Sequence, residues 1–254
     1  MNQIQVALEE LIRGNRDNLD AYLLEVCKNK TVSDTKAKLN IYMLRLDGNN
    51  RPRVNDFAQY LAYCLVDYCI PPSEIAKAKQ LDEKYNTTQN TIKLYRKAQG
   101  LFTDLKNSGE GGELLLSIMC QHYLRIPQVL CKMPLKTNPE VHYHGADGIY
   151  GKYDEITEKF CLYWGESKLY SDIDNALSNC FDSLKELLIE EGGTGTRRER
   201  DLTLFRDNLD FDNEELENAI LAFLDPDMPS YNMLEYRGVC LVGYKEDSYP
   251  TDLS

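Results

Sequence analysis

Phe160-Cys161-Leu162-Tyr163-Trp164 is an unbroken run of strand-favouring residues that leads straight into Gly165-Glu166-Ser167-Lys168. A strand this apolar has to be covered by other layers of structure. One cover follows at once, because Ile173, Ala176, Leu177, Cys180, Phe181, Leu184, Leu187 and Leu188 recur at helical spacing. Tyr236–Tyr244 reads as another buried strand, Val141–Tyr150 as a strand with a Gly-permitted irregularity, and Val129, Cys131, Met133 and Leu135 as a strand-like segment. Glu113–Leu124 is an apolar helix halted by Pro127, and a further helix is expected at about 213–224, ending at Asp225-Pro226. The order helix, three strands, helix, helix, strand predicts a mixed α/β (α+β) core at about 107–245.

Upstream, residues 37–46 alternate as a strand closed by Asp47-Gly48-Asn49-Asn50. Asn55 is placed to cap a helix striped by Phe57, Leu61, Leu65 and Tyr68, which Pro71 and Pro72 stop. Ser73 begins the next helix, and a third carries Ile92, Tyr95, Ala98, Leu101, Phe102 and Leu105. The turn-forming cluster Lys106-Asn107-Ser108-Gly109 suggests a boundary between a mainly helical layer, 1–106, and the core with its acidic end, 107–254.

Charge narrows the function classes. Residues 1–106 hold 16 Lys+Arg against 13 Asp+Glu, and the remainder 13 against 28, for a net charge of −12. Such a field repels a polyanion on average, so strong unaided grip on DNA or RNA is not expected. No apolar run approaches the length of a membrane span, and the first twenty residues lack a signal-peptide core. The eight cysteines form no CxxC and mostly sit in apolar runs, as small buried hydrophobes of a reduced, cytoplasmic protein.

Glu166 and Lys168 stand two apart at the end of the strongest strand, the spacing at which two side chains share one face. Asp147 lies on the preceding strand and Glu113 at the start of the first core helix. Carboxylate oxygens suit Mg²⁺, which activates water and offsets charge during phosphodiester hydrolysis, and a lysine can steady the developing charge. The same acid-x-Lys triplet recurs at Asp34/Lys36, Asp82/Lys84 and Asp104/Lys106, in loop or helical contexts where the two residues do not share a face. Read from the residues alone, Glu166/Lys168 fits either a nuclease-type site or an ordinary strand-end ion pair.

Residues 109–168 resemble the helix-Glu, strand-Asp and strand Glu-x-Lys arrangement of the PD-(D/E)XK nuclease superfamily. More narrowly, Arg51-Pro52-Arg53-Val54, Gly109-Glu110-Gly111-Gly112-Glu113-Leu114-Leu115, and His144-Gly145-Ala146-Asp147 with Gly165-Glu166-Ser167-Lys168 resemble the HamA family of nuclease subunits from Hachiman anti-phage defence. The likeness runs from about residue 37 to 245, and Ala146 stands where the superfamily name places proline. It implies a metal-dependent deoxyribonuclease core under a mainly helical N-terminal layer, working beside a superfamily-2 helicase of HamB type. In that reading Asp147 and Glu166 hold Mg²⁺ (or Mn²⁺), Glu113 assists directly or through water, and Lys168 orients the hydrolytic water.

Plainer readings stand beside these. Glu113 in a first helical turn also suits the helix dipole, and Glu110 could replace it or belong to the cap. His144 fits a supporting role better than an Mg²⁺ ligand, His122 is structural, and Tyr163 and Trp164 are sheet core. Arg197, Arg198 and Arg200 follow a glycine loop, placed either to touch DNA phosphates or to stay solvated among acids. A non-catalytic subunit regulating a helicase, or a nuclease directed at RNA, are the alternatives of function.

Overall fold

The computed structural model describes residues 3–102, 109–136, 145–189 and 196–244. From the N-terminus come α1 (Gln3–Glu10), α2 (Arg16–Asp20), β1 (Leu23–Thr31), β2 (Lys38–Leu44), α3 (Val54–Tyr63), α4 (Leu65–Cys69), α5 (Pro72–Tyr85) and α6 (Gln89–Leu101). Then follow α7 (Glu110–Met119), a π-helical turn (Cys120–Leu124), α8 (Met133–Lys136), β3 (Gly148–Asp154) and β4 (Lys159–Leu169). Last are α9 (Ile173–Leu188), α10 (Arg197–Asp207), α11 (Glu214–Leu224), a 3₁₀ turn (Pro229–Met233) and β5 (Leu234–Gly243). The mixed α/β class expected from the sequence is the class observed. Among the described residues no helix is long and apolar enough to cross a membrane.

Two compact units divide the chain, Gly14–Cys64 and the remainder, Met1–Arg13 with Leu65–Ser254. The smaller unit is the antiparallel β1–β2 hairpin with α2 and α3, where the Arg53 guanidinium lies 4.9 Å over the Tyr22 ring. The division expected between 106 and 107 falls outside the described residues, and the helices on either side of it belong to the same unit. Side chains tie them: Tyr68 on α4 stands edge-on to Phe102 and donates its hydroxyl to Glu113 Oε2 at 3.2 Å.

In the larger unit β4 is the middle strand, antiparallel to β3 and parallel to β5. In its apolar half Phe160, Leu162 and Trp164 are fully buried, in one cluster beside Leu184 and Leu187 of α9 and Ile220 and Phe223 of α11. Trp164 meets Tyr236 of β5 edge-on, ring centroids 4.9 Å apart.

Several local expectations change. Val129–Leu135 is no strand: the segment touches β3 through one bridge, Gln128 to Tyr150, and Met133–Lys136 coils into α8. Pro127 and Pro134 have no N–H to give a ladder, and both Val129 and Leu130 are buried, so the apolar alternation does not mark two faces. The strand expected from Val141 begins at Gly148, with residues 141–144 outside those described. Helix α3 starts one residue before Asn55, with Arg53 at its cap and no side-chain capping bond. The helix expected to run to Leu124 widens into a π turn at Cys120 and ends on Arg125 in the left-handed region. Strand β1 and helices α1 and α10 were not legible from apolar spacing.

Asp82 on α5 shows how the helical layer is tied. Its carboxylate accepts from the Asn90 amide (2.9 Å), Asn90 Nδ2 (2.8 Å) and the Thr91 amide (2.9 Å), all in the first turn of α6. Burial pushes its pKa up, but the hydrogen bonds outweigh it and pull the value down to about 2. A depressed carboxylate stabilises the fold above its unfolded pKa of about 4, and that contribution disappears as pH falls towards 2. We expect the protection of the Asn90 and Thr91 amides, relative to their intrinsic exchange rates, to fall across that window in the wild type. Asp82→Asn removes this pH dependence, and identical profiles for the two proteins would refute the tie.

Candidate active site

Asp147 and Glu166 each adjoin a glycine, and those glycines, Gly148 and Gly165, pair across β3 and β4. The fully buried ring of Tyr150 fills the space that two side chains would take. A Cβ on Gly165 would stand 2.7 Å from that ring and 2.9 Å from Leu116, and one on Gly148 would strike the Tyr150 hydroxyl. Strand pairing then carries the carboxylates together: the Asp147 N–H donates to the Gly165 carbonyl at 2.8 Å. The Asp147 carboxylate takes both its hydrogen bonds at Oδ2, from the Ser167 amide (2.8 Å) and hydroxyl (2.9 Å).

Glu166 is 2% exposed, and both its oxygens face cations. Lys168 Nζ lies 3.0 Å from Oε2, and Arg197 Nη2 3.1 Å from Oε1. Burial raises the Glu166 pKa and the nearby charge of Asp147 raises it further, against the pull of Lys168 and Arg197. Lys168, 19% exposed, is lowered by burial but raised more by its hydrogen bond to Glu166 and the charges of Asp147 and Glu166. It therefore stays protonated at neutral pH. The two carboxylates repel each other, and their hard oxygens form a donor set that Mg²⁺ accepts. In donor chemistry the pair suits that ion, with two carboxylates and no third such ligand gathered beside them among the described residues.

Glu113 lies on the other side of β4 from Glu166 and Lys168. Its neighbour Gly112 packs on the Ser167 hydroxyl, and Leu116 on Gly165, so α7 covers the odd-numbered face of β4. Glu166 and Lys168 point to the even-numbered face, towards α9 and α10. Glu113 and Asp147 both act electrostatically on the Tyr150 hydroxyl, which burial raises first. Among the described residues no three His, Cys, Asp or Glu side chains gather as around an ion, so the three expected carboxylates do not converge on one point.

The arginines sit on a helix, not in a loop. Thr196 caps α10 by accepting from the Glu199 amide, a Thr-x-x-Glu start that is readable in the sequence. Arg197 enters the site, Arg198 lies 5.2 Å over the Tyr236 ring, and Arg200 is exposed. They do not form one phosphate-binding set. His122 is buried within the π turn, while His142 and His144 lie outside the described residues. Sequence reading missed Ser167, Tyr68 and Asp201, the last a 2% exposed carboxylate that accepts from the Ala146 amide at 3.1 Å. All eight cysteines are free thiols, four of them buried.

A family model described as HamA matches residues 20–254, nearly the whole chain. The chain belongs to the HamA family. Membership implies a component of the Hachiman anti-phage defence system. No curated protein matches the sequence. The Gly-Glu-Ser-Lys and Gly-Ala-Asp elements of this HamA-family chain are the ones that meet at the β3–β4 pair.

Proposed function

We propose that this HamA-family chain is a metal-dependent deoxyribonuclease controlled by a HamB-like superfamily-2 helicase. The observation that supports it most is the meeting of Asp147, Glu166 and Lys168 at one end of β4, two mutually repelling carboxylates beside a retained ammonium. Asp147 and Glu166 would hold Mg²⁺, or Mn²⁺ in its place, which supplies charge neutralisation and water activation when bound. Ser167 fixes the Asp147 carboxylate through two hydrogen bonds, both to Oδ2. Lys168 is a fixed positive charge, not a base, because its pKa is raised. It orients the attacking water and offsets charge that builds on the phosphate. Glu113, across the strand, would act through water.

The net charge of −12 supports control by a partner, since phosphate contacts dominate non-specific binding. The isolated chain is expected to bind duplex DNA weakly at about 150 mM salt. With a HamB-like helicase and Mg²⁺ it should nick plasmid DNA, and EDTA or Asp147→Ala should stop this. Intact plasmid under every such condition would overturn the nuclease reading. Tight, salt-resistant binding by the chain alone would overturn the control.

A further inference from the structure

Helix α10 grips a single peptide group. Arg197 and Asp201, four residues apart, share one face of it. Arg197 Nη2 donates to the Gly145 carbonyl at 3.0 Å, and Asp201 Oδ2 accepts from the Ala146 N–H at 3.1 Å. That carbonyl and that N–H are the two polar ends of the peptide unit joining Gly145 to Ala146, next to the peptide that carries the Asp147 N–H. The same Arg197 nitrogen also reaches Glu166 Oε1. The helix is itself anchored, because Leu202 and Phe205 are buried in the main core.

We propose that Asp201 is a positioning residue for the metal site, acting through the Ala146 amide, with Arg197 holding the other end of the same peptide. The inference rests on the reading of Asp147 and Glu166 as the metal-holding pair. Asp147 is then fixed from three directions: the Gly145–Ala146 peptide, one removed from its own, by α10, its own N–H by the Gly165 carbonyl, and its carboxylate by Ser167. Asp201 touches neither carboxylate of that pair. Its effect passes through the backbone, in the way that outer hydrogen-bond partners set the geometry of metal ligands. A rotation of the Gly145–Ala146 peptide would swing the Asp147 side chain away from Glu166.

The test is Mn²⁺ binding to the full chain, by titration calorimetry and by the electron paramagnetic resonance of free Mn²⁺, with thermal unfolding to confirm that each variant is folded. Asp201→Ala is expected to weaken Mn²⁺ binding by roughly 10- to 100-fold, the range for lost outer partners of metal ligands. Asp201→Asn keeps a carbonyl oxygen for the Ala146 N–H and is expected to recover most of the loss. If Asp201→Ala does not fold, Asp201→Ser carries the same expectation as the alanine variant. Wild-type affinity in the alanine or serine variant would overturn the inference, as would equal losses in the asparagine and alanine variants, which would make charge and not the hydrogen bond responsible. Glu166→Ala serves as the reference. If it binds Mn²⁺ like the wild type, the metal-site reading itself fails and takes this inference with it.

Discussion

Glu166→Gln is expected to lower Mg²⁺-dependent DNA cleavage by at least about 10³-fold, with the fold retained, since loss of a metal-holding carboxylate removes several kcal/mol of charge stabilisation. The amide keeps the shape of the side chain and an oxygen for Lys168 or Arg197, but not the charge that an ion needs. Lys168→Met is expected to lose about 10²- to 10³-fold, the usual cost of deleting one preorganised charge at a reacting centre. Single-turnover plasmid nicking across a series of Mg²⁺ concentrations separates the two. Added metal should partly rescue an affinity defect at Glu166 but leave the Lys168 variant slow. Wild-type cleavage by either variant would reduce the pair to a strand-end ion pair.

Phe160→Ala is expected to destabilise the protein by about 3–5 kcal/mol, the range for emptying a buried aromatic site. Phe160 is fully buried at the far end of β4, against Phe223 of α11 with ring centroids 5.5 Å apart. Gly151 lacks a side chain where that ring passes, since a Cβ there would stand 2.9 Å from it. The core is therefore shaped around this ring, and little can move in to fill the gap. At roughly 2–4 °C per kcal/mol for a chain of this size, the unfolding midpoint should drop by about 10 °C. Below the transition, Mn²⁺ affinity should match the wild type, because the carboxylates proposed to hold the metal lie towards the other end of the strand. A shift under about 2 °C would mean that the neighbouring rings collapse into the space.

The parts of the molecule legible in the sequence are those whose signal is local. Strand β4 announces itself by five consecutive strand-favouring residues, and Glu166 and Lys168 share a face because strand side chains alternate. Helix α9 shows its buried stripe, with Ala176, Cys180, Leu184 and Leu187 all inside. Helix α10 was missed because its apolar content is slight and only its capping motif marks the start. The 129–135 segment misled because alternation without hydrogen-bond donors at Pro127 and Pro134 does not make a strand.

By itself, then, the sequence determined the mixed α/β class, the central strand, and the residues Glu113, Asp147, Glu166 and Lys168 as the chemical candidates. Which of them meet was decided only by tertiary structure, through contacts between residues far apart in the chain. Arg197 reaches Glu166 across 31 positions, Tyr68 reaches Glu113 across 45, and Asp201 reaches Ala146 across 55. Periodicity reports only which face of one element is buried, not which element covers it. The side of β4 that α7 takes, and with it the separation of Glu113 from Glu166, follows from a packing choice: Gly165 and Gly112 leave room for Leu116 and Ser167 on one face, and α9 and α10 close the other.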